Sequence, residues 1–250
     1  MNVLKFTLSG NTAFFKKPDV NTYLYFTYGH IHKVALLGIL GAIMGYGGYN
    51  QQIQDDTAVY PEFYEKLKNI KVGIVPKNHK GYITKKVQIF NNTVGYANKD
   101  GNLIVKEQWL ENPEWDIYVL IQGDLESQLA KRMLDFKFQY IPYLGKNDHI
   151  ANIIETQIIY DVEKINDVNR LDSLFVKDYF ELYQIEQDIF EADPEEKYEP
   201  VYKYEEMLPI ILEETTNKYE FQSFIYTNSN LKIINSPTVY RCNEKLVFFF

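Results

Sequence analysis

The stretch from Val34 to Met44, VALLGILGAIM, constrains this chain more than any other. It carries no charge and is apolar nearly all the way round a helix. A helix from about His32 to Met44 must therefore be buried in protein, because the run is too short for a bilayer, which takes roughly 20 residues. Ala35, Gly38, Gly41, Ala42 and Gly45 recur at helical spacings and admit a sheet or a second backbone at close range. Each interior glycine costs roughly 1 kcal/mol relative to alanine, so tight packing has to offset it. Gly45 stands where a left-handed residue would end the helix. Hiding such a helix needs a large core, and 250 residues with 46% apolar and 16% aromatic content can supply one. The single cysteine, Cys242, excludes an intrachain disulfide and a C-x-x-C zinc site. The opening, Met1 to Phe6, alternates polar and apolar like a strand and not like a signal peptide, so a cytoplasmic protein with no membrane contact is expected.

Around this helix the chain reads as mixed α and β. Residues 2–9 form a strand with Leu4, Phe6 and Leu8 on one face. Ser9-Gly10-Asn11 breaks it, and Phe14 to Pro18 is a loop with lysines beside aromatics. Tyr23 to Tyr28 is a short strand or an aromatic loop. Asp55 to Leu67 holds a turn and a short helix. Two hairpins are predicted next: Lys71–Pro76 with Tyr82–Phe90 around Asn78 to Gly81, and Thr93–Ala97 with Asn102–Glu107 around Asn98 to Gly101. Trp115–Gln122 reads as a central strand. Asp124 caps a helix to about Phe136, with Leu125, Leu129, Met133 and Leu134 inward. Strand, helix, hairpins, strand, helix, strand resembles the split β-α-β unit of a ferredoxin-like domain, whose sheet face commonly carries single-stranded RNA. Residues 151–250 contain five probable-strand runs at Glu155–Val162, Tyr219–Thr227, Leu231–Ile234, Thr238–Arg241 and Lys245–Phe250, and a helical stretch over about Leu171–Phe190. The expected class is α+β, with a first domain over 1–150 and a smaller β-rich region over 151–250.

The net charge of -8 hides an asymmetry. Residues 1–100 hold 12 lysines and arginines against 6 acids, whereas the remainder holds 14 against 28. A basic half joined to an acidic one suggests polyanion binding in the first, although exposed lysines also serve as plain solvation. The acids concentrate over 178–214, where Asp193-Pro194-Glu195-Glu196 reads as a solvated loop or a contact for a basic partner. Basic and aromatic residues interleave in three places: Phe14 to Lys17 with Tyr23, Tyr25 and Tyr28; Lys77 to Tyr82 with Lys80, Lys85 and Lys86; and Tyr140 to His149, which includes Lys146. Single-stranded nucleic acid is held by such cations and ring faces together, base stacking contributing ~1–3 kcal/mol per base.

No G-x-x-x-x-G-K-[ST], G-x-S-x-G or H-E-x-x-H occurs. Gly45-Tyr46-Gly47-Gly48 follows a helix, whereas a phosphate loop precedes one. His30-Ile31-His32-Lys33 lies at the start of the buried helix, where the two histidines, Lys33 and the helix dipole would together attract an anion. No neighbouring acid or cysteine completes a metal sphere there, so neither metal nor cofactor is expected. A histidine acting as general base in RNA cleavage stays open as an alternative.

Phe6-Thr7-Leu8-Ser9-Gly10, Phe14-Phe15-Lys16-Lys17-Pro18 and His32 to Ile43 resemble the opening of the Cas five family, subunits of type I CRISPR interference complexes (Cascade), with the type I-B branch the nearest pattern. Tyr143-Leu144-Gly145-Lys146-Asn147-Asp148-His149 resembles the Y-L-G segment of that branch. The resemblance implies a ferredoxin-like (RRM-like) domain with a β-hairpin thumb within about Gly73 to Lys106. It implies a non-catalytic subunit in antiviral defence that grips the 5′ handle of the CRISPR RNA. Its neighbours would be a Cas seven backbone subunit, a Cas eight large subunit and target DNA near the PAM-proximal end. On this reading Lys16, Lys17, His30, His32 and Lys33 hold handle phosphates, and Tyr28 and Tyr46 meet handle nucleotides. Lys77, Lys80, Lys85 and Lys86 hold the backbone at the thumb, with Lys146 and His149 beside them. The alternative is a metal-independent endoribonuclease that trims precursor RNA, with His32 or His149 as base. A third possibility is a scaffold whose acidic half docks a basic partner.

Overall fold

A computed structural model describes residues 1–19, 23–55, 57–92, 103–183 and 200–250. In chain order its elements begin with β1 (Asn2–Ser9), β2 (Thr12–Ala13), α1 (Lys33–Met44), α2 (Tyr49–Gln52), α3 (Glu62–Leu67), β3 (Val72–Pro76), β4 (Lys85–Asn92) and β5 (Leu103–Glu111). There follow β6 (Glu114–Ile121), α4 (Asp124–Leu134), β7 (Asn152–Ile159), β8 (Glu163–Ile165), β9 (Phe175–Val176) and β10 (Phe180–Tyr183). The last are β11 (Lys203–Leu212), β12 (Tyr219–Thr227), β13 (Asn230–Ile233), β14 (Thr238–Cys242) and β15 (Lys245–Phe249). The protein is mixed α/β, with antiparallel sheets and few helices.

The main sheet has the order β3-β6-β1-β7, antiparallel at each pairing. Alternation along β1 sorts its side chains between two cores. Leu4, Phe6 and Leu8 join α1 in the larger cluster, which also draws in Leu208, Leu212 and Phe224 of the β11–β12 hairpin. Val3 belongs to the smaller cluster on the opposite face, with Tyr118, Leu120, Ile159, Val247 and Phe249. α1 is buried as its sequence requires and packs against α3, α4 and β11. His32 caps it, its Nδ1 accepting from the Ala35 N–H at 3.2 Å, and Gly45 ends it in the left-handed region at φ 87°. Among the described residues, no helix is long and apolar enough to cross a membrane.

The carboxyl-terminal strands close over this sheet. β15 runs beside β3, where Val72 and Phe250 exchange backbone hydrogen bonds at 3.1 and 3.2 Å. Gly73 permits this, because a Cβ there would run into Val247 and the Phe248 carbonyl. β15 continues into β14 and β8, while β9 adds to the β11–β12 hairpin and β10 pairs with β13.

Four expectations are corrected. Lys71–Pro76 and Tyr82–Phe90 do not pair: β3 is buried along its whole length and belongs beside β6. The polar Asn78–Gly81 link forms a 3₁₀ turn that carries the chain away to β4. The hairpin that forms is β4 with β5, in register from Lys85↔Leu110 to Asn92↔Leu103. This hairpin overlaps the 73–106 span in which a thumb is expected, and Thr93–Ala97 with its turn lies outside the described residues. The predicted helix over Leu171–Phe190 is instead β9, a 3₁₀ turn and β10 as far as Tyr183. Phe180, Glu181, Leu182 and Tyr183 alternate inward and outward there, the period of a strand; residues 184–190 of that span, and Asp193 to Glu196, lie outside the described residues. Finally, Gly123 and not Asp124 occupies the cap of α4, and Leu134, its last residue, is 40% exposed.

Candidate nucleic-acid interface

The loop after β2 folds back on itself. The Lys17 N–H donates to the Phe26 carbonyl and the Tyr28 N–H to the Phe15 carbonyl, both at 2.9 Å, so Phe14–Lys17 and Tyr25–Tyr28 form a narrow antiparallel ribbon. One side of the ribbon lies along β5: the Tyr25 N–H donates to the Lys106 carbonyl at 2.9 Å, and the Gln108 N–H to the Tyr25 carbonyl at 2.8 Å. The other side meets the Y-L-G segment, the Phe14 N–H donating to the Leu144 carbonyl at 3.0 Å. Gly145 makes that seam possible. Its φ is 93°, and a Cβ would collide with the Phe14 carbonyl. The structure thus gathers the first basic-aromatic run, the lysines of β4 and Lys146 around one ribbon.

Alternation along the ribbon decides which cations are available. Lys16 is exposed, its ammonium 4.0 Å from the centre of the Tyr25 ring, a cation–π contact. Lys17 turns the other way, toward Glu206, at 2.8 Å. Glu206 also accepts from the Gly29 N–H at 2.8 Å and from the Tyr204 hydroxyl. Burial works to raise the Glu206 carboxyl, but hydrogen bonds from Lys17, Tyr204 and Gly29 outweigh it and hold it below the usual carboxylate range. Lys85 lies near this node. Burial lowers its ammonium, with the Glu206 charge opposing and the Lys17 charge assisting.

Several other predicted cations are already engaged. Lys77 pairs with Glu114 at 2.7 Å and Lys86 with Glu111 at 3.2 Å. Lys146 donates to both oxygens of the buried Glu107 at 3.1 Å and stands 5.4 and 5.7 Å from the rings of Phe90 and Phe14. Lys80 is half-buried in the 3₁₀ turn at φ 55°. Tyr46 is half-buried away from the ribbon, beneath the Lys66 ammonium at 4.3 Å.

Five predicted contact residues are buried and present no surface to a polyanion. Tyr28 is 2% exposed, its ring edge-on to His32 at 5.2 Å. His30 is fully buried and accepts from the Trp115 indole N–H at 3.0 Å. Burial drives the His30 imidazole down to about 4 and that of His32 to about 3, so both are neutral near pH 7. Lys33 is 8% exposed and turns toward Phe250. His149 is 1% exposed, its Nδ1 2.6 Å from the Thr12 hydroxyl and its ring edge-on to Trp109 at 4.6 Å. In each case the aromatic surroundings won: a histidine among tyrosines and tryptophans packs and caps, and the helix start that favoured an anion lies inside the core.

The sheet face opposite α1 is also unlike an open RNA platform. The smaller core and the β14–β15 hairpin cover part of it. Beyond them, Lys5 is ringed by Asp116 at 3.0 Å and Glu155 at 3.1 Å, and the Thr7 hydroxyl lies within hydrogen-bond distance of both carboxylates, able to donate to one at a time. Two side chains missed by the sequence stand at the ribbon instead. Lys106 is exposed on β5 opposite Ile89, and Phe26 is 38% exposed beside Tyr25. Period-two alternation counted through Phe26-Thr27-Tyr28 and through Ile104-Val105-Lys106 was the available signal. Among the described residues, Lys16, Lys85 and Lys106 have no ion-pair partner.

No family model matches the sequence, and no curated protein matches it. Among solved structures, the chain is similar to a CRISPR protein from Archaeoglobus fulgidus, with a TM-score of 0.52 and 11% identity over 99% of this chain and 98% of that one. It is also matched with a chain of a CRISPR RNA-guided surveillance complex, at a TM-score of 0.47 and 12% identity over 92% and 91% of the two chains. At these identities what is shared with the Archaeoglobus protein is the fold, over essentially the whole of both chains.

Proposed function

We propose that this chain is a non-catalytic RNA-binding subunit of a type I CRISPR ribonucleoprotein. It would hold the 5′ handle of the CRISPR RNA in the manner of the Cas five family and abut a Cas seven backbone subunit and a Cas eight large subunit. The β-α-β-β-α-β path through β1, α1, β3, β6, α4 and β7, with the order β3-β6-β1-β7, supports reading the first part as a ferredoxin-like domain in which β4–β5 is the inserted thumb. The observation that carries the proposal is the exposed pair Lys16 and Lys106, without ion-pair partners among the described residues, with the Lys16 ammonium over the half-buried Tyr25 ring, Lys106 beside Tyr25 through its backbone, and Phe26 exposed next to it. Cations that track phosphates beside stacking rings are what a single-stranded RNA needs. The burial of His32 and His149, which keeps both rings from a substrate, favours a binding role over general-base chemistry.

The test is the salt dependence of binding to a labelled repeat-derived RNA, followed by fluorescence anisotropy. Each lost phosphate contact lowers the log–log salt slope by about one, so Lys16→Ala and Lys106→Ala should each flatten it. Slopes unchanged in both variants would refute the proposed surface. Metal-free cleavage of the same RNA, lost in His149→Ala, would refute the non-catalytic reading.

A further inference from the structure

We propose that Glu107 and Lys146 are positioning residues for RNA binding: their ion pair sets the rotation of β5 and so aims Lys106 outward. The inference rests on the handle-binding reading and deepens it, since neither residue would itself touch the RNA.

Glu107 is 6% exposed, and a carboxylate out of water is costly unless it is paired and hydrogen-bonded. The Lys146 ammonium stands 3.1 Å from each of its oxygens, and the Trp109 indole N–H donates to Oε2 at 2.8 Å. Asp148 is a more distant partner of Lys146, at 3.7 Å. The loop that delivers Lys146 is closed on itself. The Leu144 N–H donates to the His149 carbonyl at 2.7 Å, and the His149 N–H to the Lys146 carbonyl at 3.0 Å. His149 fastens the far end of this loop to Thr12 of β2 and sets its ring edge-on against Trp109 of β5. With Phe14 of the ribbon and Phe90 of β4 also near its ammonium, Lys146 meets ribbon, β4 and β5 at one point.

The place of Glu107 along β5 gives the pair its consequence. Successive side chains of a strand point to opposite faces, so holding Glu107 inward holds its neighbour Lys106 outward. Two backbone bonds join the ribbon to β5, one at the Lys106 carbonyl and one at the Gln108 N–H, and they bracket Glu107. A turn of β5 at this residue would loosen both and swing Lys106 away from Tyr25 and Lys16. Removing Lys146 leaves a buried charge without its partner, and such a turn is what returns the carboxylate to water.

The test is salt-dependent binding of the full chain to the labelled repeat-derived RNA. The variants are Lys146→Met and Glu107→Ala, each alone and combined with Lys106→Ala, and each checked for a native unfolding transition. Lys146→Met and Glu107→Ala should each weaken binding roughly fivefold near 0.1 M salt, the worth of one single-strand phosphate contact. Neither should weaken it further once Lys106 is alanine, because both act through Lys106. Glu107→Ala is the sharper arm: removing an acid beside a polyanion site tightens binding by charge alone, so weaker binding marks lost positioning. Trp109→Phe removes one donor and keeps a ring, and a smaller loss in the same direction is expected where the other variants fail to fold. The inference is overturned if Glu107→Ala binds as well as the wild type or better. It is equally overturned if Lys146→Met and Lys106→Ala add in full, since Lys146 would then hold a phosphate of its own, or if Trp109→Phe, standing in, binds as the wild type does. A wild type that does not bind this RNA refutes the handle-binding reading and this inference with it. A wild type that binds, weakened by Lys106→Ala but indifferent to Glu107→Ala, refutes this inference alone.

Discussion

Lys17 was expected to grip RNA, and its surroundings assign it a different burden. The side chains of Lys17 and Glu206 are 29% and 14% exposed and meet at 2.8 Å. A fully exposed pair contributes ~0.2–1 kcal/mol, whereas breaking a buried pair by removing one partner costs ~3–5 kcal/mol. This pair lies between those limits, and the Gly29 N–H and Tyr204 hydroxyl still hold Glu206 after Lys17 is gone. Lys17→Met should therefore destabilise the fold by ~1–3 kcal/mol, read by urea unfolding near pH 7. The pH dependence follows from the lowered Glu206 carboxyl. Such a group contributes stability above its unfolded value of ~4.3 and loses it as pH falls through the lower folded value. The deficit of Lys17→Met should accordingly shrink as pH falls through that lower folded value, where Glu206 becomes neutral in both proteins. Glu206→Gln added to Lys17→Met should recover part of the loss, since no stranded charge remains. A single variant within ~0.5 kcal/mol of wild type, with no coupling in the double-mutant cycle, would refute the reasoning.

Two further perturbations probe the scaffold of the ribbon and of α1. Gly145→Ala places a side chain at φ 93° and against the Phe14 carbonyl. Left-handed strain of ~1–2 kcal/mol plus that collision should lower stability by more than ~2 kcal/mol; a urea midpoint like that of the wild type would contradict the described seam. His30 and His32 are held neutral with folded values of about 4 and about 3, below the unfolded ~6.5. Their contribution is complete above ~6.5 and is lost as pH falls toward those values. Stability should thus drop between pH 7 and pH 4. His32→Asn keeps a side chain able to cap α1 while removing one titration, so its pH profile should be flatter, and an equally steep one would count against this cause.

Local signals were enough for much of this architecture. The uncharged run at Val34–Met44 dictated a buried helix, Gly45 its left-handed end, and the alternation of Leu4, Phe6 and Leu8 the inner face of β1. What sequence could not supply was partner choice. The apolar run at Val72–Val75 looks equally suited to a local hairpin or a central strand, and only the place beside β6 decides between them. The same holds at the interface. Lysines and histidines were read by type, but whether Lys17 or Lys16 faces outward depends on the register of a two-residue repeat against β5. His30 looked like an anion ligand until Trp115, 85 residues away, proved to occupy its Nδ1. Glu206, which claims Lys17, lies in the acidic half that seemed a separate region.

The exchange of hydrogen bonds between Val72 and Phe250 joins positions far apart along the polypeptide. Contacts of such long sequence separation tend to slow folding, because loop-closure entropy precedes any gain from pairing. A nascent chain would make β3 well before β15 existed and would meanwhile display an unfinished sheet border, a template for wrong association. Deleting residues 245–250 should therefore do more than remove one strand. It would reopen that border in the finished molecule, turning a closed particle into one prone to self-adhesion.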